Sequence, residues 1–159
     1  MNFEEWVQEH QQRLVSYAYL VCHDRTEALD ITQDVLATLY SRWDALTLRG
    51  QPLAYARRAI TNAAIDRWRR DGRHRAPHPP SDRAVGSDES ARATDATLAW
   101  QLCASLPPAQ RAVIALRYWE DLTHKQIGDV LQMPEATVRS HAHRAVVSLQ
   151  TRIAQEDLT

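Results

Sequence analysis

Glycine is scarce, four in 159 residues, and no two fall close enough together to make a Gly-rich loop that cradles phosphate. Cysteine is scarcer still. Cys22 and Cys103 stand alone and far apart within apolar helical patterns, which excludes a disulfide framework and a Cys-based metal cluster. Both are read as buried free thiols of a reducing compartment. No apolar run approaches the length of a bilayer span, so no membrane insertion is expected. The opening MNFEEW is acidic rather than basic-then-apolar, unlike a secretory signal, and the chain is expected to be cytoplasmic. The seven histidines are scattered. His141 and His143 stand two apart on a helix, where their rings diverge, and His74 and His78 flank Pro77 in the tether, so no metal site is expected. No nucleophile, base or phosphate loop clusters in the chain, so it is read as a non-enzyme with no catalytic residue and no cofactor.

Net charge of one sign is also missing: the total is −1, which alone would argue against a nucleic-acid binder. Partitioning the charge along the chain reverses that inference. Residues 1–48 carry 3 basic and 8 acidic side chains, net −5; residues 49–75 carry 8 and 2, net +6; residues 76–97 carry 2 and 4, net −2; residues 98–159 carry 6 and 6, net zero. A neutral total hides a strongly basic segment of the kind that binds phosphates.

What is present is helical periodicity, and the expected fold class is all-α: two small helical domains joined by a flexible linker. Phe3, Trp6, Val7, Leu14, Tyr17, Ala18 and Val21 share one face of a helix over 3–22. Asp24, three residues before Glu27, is placed to cap a second helix over 26–42, with Ala28, Ile31, Val35, Leu36, Leu39 and Tyr40 inward and Trp43 at its end. Asp44–Gln51 reads as a connector with Gly50 as its flexible point. Pro52 then opens a third helix to about Arg70, its inner line Leu53, Ala56, Ile60, Ala64 and Trp68, with Gly72 ending it. Residues 76–97, rich in Pro, Ser, Asp and Ala, read as the tether between a domain over 1–75 and another over 98–159. Bodies this small bury only about 60% of their unfolded surface, so each is expected to be marginal alone.

In the second domain Pro107 and Pro108 start a helix with Ala112, Val113, Leu116 and Trp119 at 3.6-type spacing. Thr123 and Gln126 form a capping box for the next helix, with Ile127, Val130 and Leu131 inward, and Pro134 breaks the chain before a last helix. The last two helices read as a helix-turn-helix. Val138, Ala142, Ala145, Val146, Leu149 and Ile153 form the inward stripe of the final one. That leaves Ala136, Arg139, Ser140, His143, Arg144 and Val147 outward, a face able to enter a major groove.

The string LPPAQRAVIALRYWEDLTHKQIGDVLQMPEATVRSHAHRA closely resembles region four of the extracytoplasmic-function sigma factors, LPPxxRxVxxLRYxEDLSxxEIAxxLGxSxGTVKSRxxRA, over some forty consecutive positions. Two of its departures from that pattern bear on the chemistry. Gln132 replaces the turn glycine, which would put a non-glycine residue at positive φ, and His141 replaces an arginine, which would weaken a phosphate contact or make it pH-sensitive. EALDITQDVLATLYSRWD resembles the family's region-two docking helix, and PLAYARRAITNAAIDRWRRDGRHR its WLxRIAxNxxxDxxRRxxR helix.

The resemblance implies an alternative sigma factor with core RNA polymerase and promoter DNA as partners, and admits an anti-sigma factor as a third. It implies polymerase docking through Asp30, Gln33, Asp34 and Thr38. It implies contact with the proximal promoter element through Leu48, Arg49, Arg57, Arg58, Asn62, Asp66, Arg69 and Arg70, with Thr47–Gly50 as a loop that receives a flipped base. Distal-element contact falls to Glu135, Ala136, Thr137, Arg139, Ser140, His141, His143 and Arg144. The rival reading is a helix-turn-helix regulator that binds DNA without joining polymerase; the docking-helix resemblance argues against it.

Overall fold

The computed structural model describes residues 1–71 and 101–157, and within them every regular element is helical. The first helix, α1 (Phe3–Cys22), starts at a capping box: the Asn2 side chain accepts from the Glu5 amide at 2.9 Å, and the Glu5 carboxylate accepts from the Asn2 amide at 3.0 Å. It ends at His23, which takes the left-handed conformation (φ 60°). Helix α2 (Arg25–Ser41) is capped by Asp24, whose carboxylate accepts from the Glu27 amide at 2.9 Å.

After α2 the chain departs from expectation. Trp43 does not close that helix, and Asp44–Gln51 is not wholly a connector: Trp43–Leu48 form a short helix, α3. Trp43 anchors it by packing edge-on against Phe3 and Trp6, with centroids 5.5 and 5.6 Å away. Only the turn after it is irregular, and there Gly50 takes φ +65°. Tyr40, expected inward, is exposed, with its ring edge against Phe3. Helix α4 (Pro52–Arg70) then opens with proline at its first turn, where the missing N–H costs nothing. Gly72 and the 76–97 tether lie outside the described residues.

The second lobe comprises α5 (Pro108–Ile114), a π-helical turn over Ala115–Trp119, α6 (His124–Leu131) and α7 (Glu135–Asp157). The Glu120 amide donates to the Ala115 carbonyl five residues back. This wider turn shifts the register. Trp119, expected on the inner stripe with Leu116, therefore comes out 45% exposed. Ile153 is exposed as well, because α7 outruns the seven-residue α5 against which it packs.

The two lobes are not held apart. Helix α5 lies against α1 and α4, and α6 lies against α4. Val113, Leu116, Ile127 and Val138 belong to the same apolar core as Trp6, Leu14, Leu39 and Ile60. The marginal burial available to each lobe alone is thus supplemented by their mutual contact.

Candidate nucleic-acid and polymerase interfaces

Helix α7 is held against α6 by a tight turn. The Thr123 hydroxyl accepts from the Gln126 amide at 3.1 Å while the Gln126 side chain accepts from the Thr123 amide at 2.9 Å, so the expected capping box is present. Helix α6 ends at Gln132 with φ 57°, the left-handed geometry expected where the family has glycine. Gly128 makes the close return possible. A Cβ there would lie 2.7 Å from the Met133 carbonyl oxygen, closer than any side chain tolerates without movement.

Val138 and Ala145 are fully buried, which turns the opposite side of α7 to solvent. Glu135, Ala136, Arg139, Ser140, His143 and Arg144 are exposed there, and Thr137 and His141 are half-buried at its margin. Arg139 donates to the Glu135 carboxylate at 2.8 Å. An exposed pair one turn apart contributes only about 0.3–0.5 kcal/mol, so the guanidinium is readily surrendered to a base edge or phosphate. The His141 imidazole is held below its ordinary value, first by burial and then by the Arg144 charge. Its Nδ1 finds no hydrogen-bond partner among the described residues. A neutral ring stands where the family carries a permanent cation.

The basic segment lies on α4 and the turn before it. Leu48 is 89% exposed at the end of α3. Arg49, Asn62, Asp66, Arg69 and Arg70 are also exposed. Arg58 is half-buried, its guanidinium 5.9 Å from the Tyr55 ring centroid, with Arg42 at 6.0 Å from the same ring. Arg67 is spent within the lobe, donating to Asp30 at 2.7 Å.

Arg57 departs from this basic face. It is 7% exposed, and its guanidinium donates to the Glu120 carboxylate of the second lobe at 2.5 Å, while Arg13 of α1 donates to both oxygens of the same carboxylate. Arg57 points inward because its neighbours on the helix, Ala56 and Ile60, are fully buried. Arg57 therefore lies buried in the seam rather than on the exposed basic side where it was expected, and Arg13 and Glu120 join the residues of interest. Nothing local in the sequence marks Glu120, since the pairing spans 63 residues.

On α2, Asp30, Gln33, Asp34 and Thr38 are all exposed along one side, opposite the buried Ile31, Val35 and Leu39. Asp30 shares its carboxylate with Arg67, and the Thr38 hydroxyl donates to the Asp34 carbonyl at 3.2 Å.

At the centre of the first lobe, the Tyr17 hydroxyl and Thr61 are hydrogen-bonded at 2.7 Å, a fully buried polar link between α1 and α4. Burial pushes the Cys22 thiol up to about 12 and raises the Cys103 thiol as well. Both are therefore protonated and poorly nucleophilic at neutral pH. Among the described residues no three His, Cys, Asp or Glu side chains gather where they could hold a metal. None of the described helices is long and apolar enough to cross a membrane.

Comparison with known proteins separates the same two lobes. Residues 6–74 match the family described as sigma-70 region 2, and residues 103–151 match sigma-70, region 4. The chain is 30% identical to the RNA polymerase sigma-E factor of Streptomyces avermitilis, over 99% of this chain and 88% of that protein. It is 30% identical to the RNA polymerase sigma-E factor of Streptomyces coelicolor, over 99% and 89%. With the ECF RNA polymerase sigma factor SigW of Bacillus subtilis it shares 23% identity, over 95% and 88%.

Proposed function

The chain belongs to the extracytoplasmic-function sigma factors of bacterial RNA polymerase, and from that premise we propose how its surfaces divide the work of an alternative sigma factor that binds core enzyme and directs promoter-specific initiation. The α2 side with Gln33 and Asp34 docks on core polymerase. The exposed residues of α3 and α4, with Leu48 and Arg49 leading and Asn62, Asp66, Arg69 and Arg70 following, engage the proximal element and the strand exposed on melting. Extruding a base costs a few kcal/mol, which a polar pocket offsets by hydrogen bonding and packing. The outward side of α7 reads the distal element through Arg139, Ser140, His143 and Arg144.

The observation that carries this reading is the exposed Arg139–Arg144 side of α7, set by a turn whose tightness Gly128 permits. The match to region 2 over residues 6–74 disfavours a helix-turn-helix regulator that works without polymerase, because such a protein has no use for a docking lobe. The site of action is then the cytoplasm, with core enzyme.

A paired experiment tests the division. Asp34→Arg is expected to abolish co-elution with core enzyme while leaving the helical content unchanged. Arg139→Ala and Arg144→Ala are expected to leave co-elution intact and to weaken distal-element affinity by about 1–3 kcal/mol wherever a bidentate base contact is lost. Normal co-elution of Asp34→Arg, or unaltered promoter affinity of both arginine variants, would refute the assignment.

A further inference from the structure

Helix α7 offers a duplex two kinds of position. Ala136, Ser140 and His143 lie furthest round the helix from the buried Val138 and Ala145, while Thr137 and His141 are half-buried along the margin. When a helix seats in a groove, its outermost residues reach base edges and its marginal ones come against the phosphate and sugar of the groove wall. His141 is a titratable group on that margin.

The ring is enclosed on one side only. Its Nδ1 is buried without a hydrogen-bond partner among the described residues, whereas Nε2 is not so enclosed. A charged imidazole carries a hydrogen on both nitrogens. Charging His141 therefore leaves an N–H at Nδ1 with no acceptor, the cost of a buried unsatisfied donor. Arg144, three residues on along the same side, adds a like charge. Helices α5 and α6 pack on α7 and bring Arg111, His124, Lys125 and Asp129, and Cys103 shares the apolar cluster of Ala145. None of these acts on the ring, and among the described residues no acid holds a proton there. On α7 itself Glu135 is paired with Arg139, and His143, two positions on, diverges. A phosphate at Nε2 reverses the balance. It accepts from Nε2–H, and an opposite charge that close raises proton affinity by about 10–1000-fold.

We propose that His141 is a proton-linked phosphate contact: neutral in the free chain, it takes a proton from solvent as its Nε2 meets a phosphate oxygen, so that α7 holds duplex more tightly as pH falls. Such a contact requires α7 to be the duplex-reading helix proposed above and requires nothing of the docking on core polymerase. Backbone contacts carry no base information, so the linkage strengthens the hold on every sequence alike and leaves the choice of promoter unchanged.

The test uses the full chain and a short mixed-sequence duplex, followed by fluorescence anisotropy at about pH 8, about pH 6.5 and about pH 5.5. Far-UV circular dichroism at each pH shows whether the helices persist; should they melt at the lowest, the upper interval decides. Wild type is expected to gain about tenfold in affinity from the highest to the lowest pH. Its slope of log affinity against log salt should steepen by about one over the same range. His141→Gln should lose that increment, and His141→Arg should show the steeper slope at every pH. His143→Gln, which removes the other imidazole on this side, should keep the increment. By NMR the His141 ring should titrate below its ordinary value in the free chain and above it with duplex bound. An increment that survives His141→Gln, or a ring titration that duplex does not move, overturns the proposal. So does a wild-type chain that binds no duplex even at the lowest pH. Co-elution with core polymerase is scored apart: its failure sinks the sigma-factor reading and leaves the phosphate contact to stand or fall on the titration.

Discussion

His141 tests how far a single departure from the family pattern changes the chemistry of the reading helix. Its imidazole is held below the ordinary 6.5, by burial first and by Arg144 second. The folded lobe thus takes up a proton less readily than the unfolded chain. Its contribution is neutral above the unfolded value and becomes a loss as pH falls below about 6.5, where only the unfolded chain gains the proton. Wild type is expected to lose thermal midpoint between pH 7 and pH 5 more steeply than His141→Gln; parallel curves would contradict the placement of the ring. The departures at His141 and Gln132 were legible in the sequence, because the resemblance marked both positions, and Gln132 does take the left-handed conformation. Arg57 was not legible as a buried residue. A basic residue among other arginines on a half-exposed helix reads as part of the phosphate-facing side, and only its partner, 63 residues away, explains why it turns inward.

Among the elements, the ones that local chemistry dictates were readable: the Asp24 cap, the Thr123–Gln126 box and proline at the start of α4 and α5. The ones set by tertiary packing were not. The short helix α3 exists because Trp43 docks on Phe3 and Trp6. The π-helical turn broke the 3.6-residue period that placed Trp119 inside. Gly128 shows the same limit. By helix propensity alone, Gly128→Ala should stabilise α6 by about 1 kcal/mol. The Met133 carbonyl, 2.7 Å from the added Cβ, is backbone and cannot swing aside. The expected net effect is a loss of about 1–3 kcal/mol, as for other overpacked sites. It would appear in urea unfolding of the full chain and as weakened binding of distal-element DNA. A variant as stable as wild type would show that the turn relaxes freely.

For the molecule as a whole, charge partition and helical period were enough to divide it into an acidic N-terminal stretch, a basic third helix and a helix-turn-helix, while the docking and strand-tracking roles proposed for the first two came from the resemblance alone. They did not disclose that the lobes lie together, since the residues joining them are ordinary apolar positions in either lobe: Val113, Leu116 and Ile127 on one side, Leu14 and Ile60 on the other. Sequence periodicity reports that a side chain is buried but not against which partner.

The central claim is met most directly by run-off transcription with purified core polymerase on a library of promoter fragments from the source genome. With the chain added, discrete transcripts from a small set of start sites are expected, and none with core or chain alone. A chain that neither co-elutes with core nor yields such transcripts, even while gripping an operator through α7, would contradict the account.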